Sequence, residues 1–321
     1  MPENSKFYSG TGSMEISCAY LYIISKYGYP PPVEDTVAHI REIAQLGFAS
    51  LELEAIGKSN IEYLFENRKA VKDALAEYGC SVPVLCVVLP RLGADLPESE
   101  RAECLELFEI GCQTAHFLGA EGVLDNGPLL PLKYPSEMPV MRHYSGLQMA
   151  GLHLPFSLDW NDYWNKLTKT YGSACGIAAK YGLDYHLHPC EGSLTATTDS
   201  FLLFSQAVNA QNLMFNLDTS NQFLVSDSLA LSLVRLRDKI SYIHISDNSG
   251  LKTEHLPPGK GNIDWDLFFA VLKEINYKGR IAIDVGGAET GIENMEDAYR
   301  ETASWLNKKI EYFLQPAGAV L

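Results

Sequence analysis

Apolar and polar positions follow two alternating periods along most of the chain. Short runs of period two give way to longer runs of period 3.6, so strands and helices are predicted in alternation. The strands fall at 15–22, 50–56, 81–89, 121–124, 184–188, 212–218, 241–247 and 280–285. The first helix carries Val33, Val37, Ile40 and Ala44 on one face and ends at Gly47. Asn60 is placed as the cap of a second helix that runs to Tyr78 and stops at Gly79; a third covers 98–118 and stops at Gly119. Later helices are predicted at about 160–181, 198–209, 227–239, 265–275 and 295–314, the last with Tyr299, Ala303, Leu306, Ile310 and Phe313 on one face. Parallel strands need helical crossovers of this kind. Eight strand–helix repeats therefore predict an α/β protein, a single (β/α)8 TIM barrel with its active site at the C-terminal ends of the strands.

One stretch breaks the rhythm. Residues 125–159 form a long inserted loop after strand 4, with Pro128, Pro131, Pro135, Pro139 and Pro155 and no clear strand or long helix. Its apolar residues are Leu129, Leu130, Met138, Met141, Met149, Leu152, Leu154 and Phe156. Long loops inside compact domains are usually functional or disordered, and this apolar content points to an ordered lid or a subunit contact. The expected limits are a loose N-terminal tail over 1–13, the barrel over 14–315 and a C-terminal tail over 316–321.

The phase of the later strands singles out candidate chemistry. Side chains alternate across a strand, so Leu187, Leu217, Ile243, Ile245, Ile281 and Ile283 point one way. His186, His188, Asn216, Asp218, His244, Ser246 and Asp284 point the other way, towards the barrel interior at its C-terminal rim. A single inward His or Asp is most simply a hydrogen-bonded core group. Four consecutive strands that each deliver one at the same depth are harder to read so, because buried carboxylates without a cation repel each other. Two His and two Asp suit a hard-to-borderline divalent cation.

Composition narrows the function classes. The 321-residue chain is 46% hydrophobic and 20% charged, with a formal net charge of −15. That charge disfavours nucleic acid and anionic membrane as partners, and no apolar run of ~18 residues is present. The polar N-terminus lacks the apolar core of a signal peptide. Seven scattered Cys with no CxxC pair fit reduced thiols and a cytoplasmic location.

Three motifs carry a family resemblance. His244-Ile-Ser-Asp247, then Gly259-Lys-Gly261-Asn-Ile-Asp264-Trp265, then Tyr277-Lys-Gly279-Arg-Ile-Ala-Ile-Asp284 resemble the xylose-isomerase-like barrel family. Its members include sugar phosphate isomerases and epimerases, ketose 3-epimerases, inosose dehydratase and endonuclease IV. The resemblance implies a divalent metal held by His188, Asp218, His244 and Asp284, with manganese expected first and cobalt or magnesium as alternatives. It also implies a small sugar or glycoside as substrate.

This chain departs from the family pattern in two ways. Family epimerases usually carry Glu where His188 and Asp284 stand, and often His where Asn221 stands. Two-face epimerisation needs a proton acceptor and a donor on opposite sides, so the altered ligands shift the proton-carrying role to His143 on the inserted loop and Glu191 just after His188, with His153 as a further candidate. A lone base beside a polarised carbonyl suits enolisation followed by elimination. Within the family the combination resembles the catalytic subunit of bacterial C-glycoside deglycosidases. That implies a lyase acting by β-elimination on 3-oxo-glycosides, and a homo-oligomer or a hetero-oligomer with a small β-rich subunit. The alternative is a ketose epimerase or aldose–ketose isomerase. An endonuclease IV-like nuclease is disfavoured by the charge and by the missing ligands of a trinuclear site.

Overall fold

The structure is a computed structural model that describes residues 14–136, 139–140 and 143–314. Both expected tails, together with Met138, Met141 and Arg142 of the insertion, lie outside the described residues.

In chain order the elements are β1 (Ile16–Cys18), α1 (Leu21–Tyr27), α2 (Thr36–Leu46), β2 (Leu53–Ile56), α3 (Gly57–Tyr78), β3 (Val84–Val88), α4 (Glu98–Leu118) and β4 (Gly122–Asn126). There follow α5 (Gly146–Ala150), α6 (Trp160–Lys180), β5 (Asp184–His188), α7 (Thr198–Val208), β6 (Leu213–Asp218), α8 (Thr219–Leu224), α9 (Leu229–Leu236), β7 (Tyr242–Ile245), α10 (Trp265–Glu274), β8 (Arg280–Ile283) and α11 (Met295–Leu314). The strands form one eight-stranded sheet in the order β1-β8-β7-β6-β5-β4-β3-β2. The backbone N–H of Cys18 donates to the carbonyl of Ser50, and that of Glu52 to Cys18, so the chain entering β2 pairs with β1 and closes the order on itself. This is the expected (β/α)8 barrel.

The chain divides into two compact units. The first comprises Met1–Leu53, Ala70–Pro83 and Asn216–Leu321. In it β1, β8, β7 and the end of β6 pair in parallel, with Ile16 and Ile243 both opposite Ile281 and Asp218 opposite His244. Ile16, Leu217, Ile243, Ile281 and Ile283 are wholly buried, as the period-two pattern requires. Tyr299, Ala303, Leu306 and Ile310 form the buried stripe of α11, the helical spacing read from the sequence. The second unit comprises Glu54–Lys69 and Val84–Phe215. Here β3, β4, β5 and the start of β6 pair in parallel, with Leu124 opposite His186 and Leu187 opposite Phe215. Tyr171, Tyr185, Phe108 and Phe204 fill its core, the rings of Tyr171 and Tyr185 stacked 5.9 Å apart.

Several boundaries differ from expectation. The first strand stops at Cys18 and α1 follows, with Ser25 Oγ donating back to the carbonyl of Leu21. An apolar run of this length satisfies either period, and tertiary packing decides. Asn60 lies inside α3, which starts at Gly57, so it is not the cap. The short helix α8 has no counterpart in the predicted elements; its cap is Asp218, whose Oδ1 accepts from Asn221 N at 2.8 Å. The insertion keeps its irregular character, apart from α5, which carries a Ser145–Gln148 capping box.

Candidate metal centre

Asp218 ends β6, His244 is the penultimate residue of β7 and Asp284 follows β8, and the first unit brings them together. One ligand atom from each lies within 4.8 Å of the others. His244 Nδ1 lies 4.0 Å from Asp218 Oδ2 and 3.7 Å from Asp284 Oδ2. All three side chains are nearly inaccessible, at 0, 5 and 5% exposure for Asp218, His244 and Asp284. These separations exceed a hydrogen bond and are close to the ~3–3.5 Å that ligand atoms keep when each sits ~2.1 Å from one ion. Two buried carboxylates facing one imidazole nitrogen make a donor set that suits a divalent cation.

The other nitrogen of His244 is already committed. Nε2 lies 2.6 Å from Glu52 Oε1, and Glu52 Oε2 accepts from Tyr20 N at 3.1 Å. Burial by itself would make the His244 imidazolium unfavourable, but the charges of Glu52 and Asp284, the Glu52 hydrogen bond and the charge of Asp218 outweigh it and raise its pKa to about 10. Burial also opposes the charge on Glu52, yet the His244 charge and hydrogen bond hold its carboxyl below the usual range. Such a carboxylate–histidine pair fixes which nitrogen faces a metal, here Nδ1.

The H-x-x-D and G-x-G-x-I-D-W motifs acquire a mechanical reading. Asp247 is no ligand; it is the acceptor at the centre of the loop that follows β7. Its carboxylate accepts from Asn248 N at 2.9 Å, Gly259 N at 2.7 Å, Ile263 N at 3.2 Å and Trp265 Nε1 at 2.9 Å. A side chain on Gly261 would run into the Asn248 carbonyl and the Asp247 carboxylate, which accounts for the second glycine. Asp264 then caps α10 by accepting from Leu267 N at 3.0 Å. The loop lies antiparallel over two strand ends, through the exchange between Asp247 and Leu256 and the donation of Gly286 N to the carbonyl of His255. Gly287 N donates to Ser25 Oγ at 2.8 Å. The paired glycines are thus a turn with both amides engaged.

Two residues of this centre have no place in the sequence reading, His255 and Glu52. His255 stands in a loop, outside any strand phase. Glu52 offered a signal, since it is a carboxylate inside the short apolar stretch Leu51-Glu52-Leu53 that leads into β2.

The remaining expected site residues lie in the second unit. His188, the other member of the candidate ligand set, ends β5, half-buried, its Nδ1 3.3 Å from Asn126 Oδ1. Glu191 is half-buried in the turn just beyond it. His143 and His153 are exposed on the insertion. Of the histidines on the outer helices, His39 in the first unit is buried against Tyr20, whose hydroxyl lies 3.2 Å from its Nδ1, and His116 in the second is exposed, its Nδ1 3.0 Å from the carbonyl of Tyr181.

Comparison with known proteins bears on the family and the fold. The xylose isomerase-like TIM barrel family matches residues 40–309. The 3-dehydro-D-guloside 4-epimerase of Escherichia coli K12 is 21% identical over 276 residues, 85% of this chain and 94% of that protein. The L-ribulose 3-epimerase of Methylomonas sp. is 33% identical over 88 residues, 27% of this chain and 29% of that protein. Among solved structures, apo 3-keto-D-glucoside 4-epimerase of E. coli superposes with a TM-score of 0.68 at 20% identity, over 92% of this chain and 99% of that one. The D-allulose 3-epimerase of Methylomonas sp. does so with a TM-score of 0.69 at 18% identity, over 92% and 98%. With most of its length matched, the chain belongs to the xylose isomerase-like TIM barrel family.

Proposed function

We propose that this protein is a divalent-cation-dependent epimerase acting on a keto sugar or oxo-glycoside. The observation that carries the reading is the buried meeting of Asp218, Asp284 and His244 at ligand spacing, with Glu52 orienting the imidazole. His188 is the fourth ligand, by its inward phase at the end of β5. The names of the relatives above support the epimerase alternative over β-elimination, and nothing in them supports the deglycosidase reading or a β-rich partner subunit. The O- and N-donor set suits a divalent ion, and the family resemblance puts manganese first, with cobalt or magnesium as alternatives.

The bound cation would supply Lewis acidity to a carbonyl and so acidify the neighbouring C–H. The chain must do the rest. Asp218, His244, Asp284 and His188 would hold the ion, displacing any proton from His244 Nδ1, and Glu52 would fix the direction of that nitrogen by pairing with Nε2. Glu191 and His143 are the assigned proton-carrying groups, one to remove the proton and one to return it from the opposite face. The exposed apolar side chains of the insertion, Leu147, Leu154 and Phe156 among them, support an oligomer.

The reading is tested by incubating the manganese-loaded protein with 3-oxo-glycosides and ketohexoses in D2O. An epimerase yields the epimer with deuterium at the carbon beside the carbonyl. Release of an aglycone with an unsaturated sugar would instead establish the lyase outcome. Asp218→Asn should abolish both metal retention and exchange while keeping the circular dichroism spectrum.

A further inference from the structure

Asp218 and Asp284 have a second imidazole partner. His255 Nε2 lies 3.8 Å from Asp218 Oδ2 and 3.7 Å from Asp284 Oδ2. Those are the same two oxygens that face His244 Nδ1 at 4.0 and 3.7 Å. The four atoms thus make a ring in which carboxylate oxygens and imidazole nitrogens alternate at nearly equal spacing. None of the four edges is a hydrogen bond. Equal spacing with no direct bond is the arrangement of groups that share a central ion rather than one another.

The surroundings fix His255 in this pose. It is 2% exposed. Its carbonyl accepts from Gly286 N at 3.0 Å, and its neighbour Leu256 is paired on both sides with Asp247. The preceding carbonyl, of Glu254, accepts from Asn248 Nδ2 at 3.0 Å and from Ser220 Oγ. Behind the ring, Glu289 Oε1 stands 3.9 Å from Nδ1, an acceptor whose small approach would hold the proton on Nδ1 and leave Nε2 as the lone-pair nitrogen.

We infer that His255 is a ligand of the same cation, so that the centre has three imidazoles and two carboxylates rather than two of each. The inference deepens the proposed function and rests on its assignment of the site to a divalent ion. The third imidazole is neutral, so it adds a donor and leaves the set at the two negative charges of Asp218 and Asp284, which balance a divalent ion.

The test uses purified full-length protein, stripped of metal by chelation and reloaded with Mn(II). Pulsed EPR counts the coordinated imidazole nitrogens, and isothermal titration calorimetry gives the Mn(II) affinity. Wild type is expected to show three nitrogens, from His188, His244 and His255. His255→Gln and His255→Ala should each lose one nitrogen and weaken Mn(II) binding at least ~10-fold. Two nitrogens in the wild type that fall to one in His188→Gln, or an unchanged spectrum and an affinity within about twofold in the His255 variants, would overturn the inference. Because the wild-type count needs no mutation, a folding defect in either His255 variant does not blunt the test. Asp218→Asn separates the two levels of the argument. If it loses Mn(II) while the His255 variants leave the spectrum unchanged, the inference alone fails; if it keeps Mn(II) with an unaltered spectrum, the assignment of the whole site fails too.

Discussion

Residues 247–263 follow β7, and residues 127–159 follow β4; both are long excursions from a strand end. The first is organised around one buried carboxylate. Asp247 is 0% exposed and gathers four N–H donors from its own loop and from α10. The second turns several of its apolar side chains outward, with Phe156, Leu147 and Leu154 at 109, 87 and 56% exposure. Its local order comes from one capped five-residue helix and the Lys133–His153 and Leu129–Ser193 bridges. The difference separates two uses of a loop. A satisfied polar hub fixes side chains to within a rotamer, which ligation needs. A loop with outward apolar groups is fixed only when something covers them.

The sharpest way to break the comparison is through the proton-carrying residues assigned to the second unit. His143→Ala and Glu191→Gln should each lower turnover by ~100- to 10,000-fold at full metal content. A His143→Ala enzyme with near-normal turnover would strip the insertion of its chemical role. Next in size, Asp247→Ala removes the acceptor of four donors. Two of these, Ile263 N and Trp265 Nε1, belong to buried residues and would be left without an acceptor, at a cost of about 2–5 kcal/mol of stability in chemical denaturation. A loss below ~1 kcal/mol would show that the loop is not held by this hub.

Glu52→Gln should weaken Mn(II) binding ~10- to 100-fold, measured by calorimetry, because His244 loses the charged partner that orients it. Asp125 gives the pH dependence of the second unit. Burial raises its pKa from the ordinary 3.8 to about 8, against the hydrogen bond from Leu89 N, which opposes the rise. A raised folded-state pKa means that the group's contribution to stability is complete below about pH 4 and is lost as pH climbs through about 8. Asp125→Asn does not titrate, so it should match wild type at low pH and exceed it by about 1–3 kcal/mol above pH 8. Equal pH profiles would show that folding leaves the Asp125 pKa where it is in the unfolded chain. The smallest effect belongs to the insertion surface. Phe156→Ser should leave unfolding free energy within ~0.5 kcal/mol, while light scattering shows the oligomer losing mass. A wild-type protein that is already monomeric would remove that use of the loop.

The barrel was legible because its signals are periodic. Eight strands and the helices between them follow from alternation and glycine stops, and the inward phase of Asp218, His244 and Asp284 follows from counting by two. What escaped lacks a period. His255 reaches the centre from a loop whose path depends on Asp247, and hydrogen bonds to a carboxylate leave no local pattern around residue 255. Glu52 acts across 192 positions of sequence on His244, a distance over which propensity says nothing. Helix α8 was missed because its cap is a residue already read as a ligand.

That dual duty of Asp218 limits how the centre can change by substitution. One oxygen of its carboxylate starts α8 through the Asn221 amide, and the other faces His244 and His255. A helix start of this kind needs a side chain as short as Asp; a Glu would carry its oxygens past the amide. Substitution at position 218 is thus limited twice, by the helix it begins and by the two imidazoles it faces.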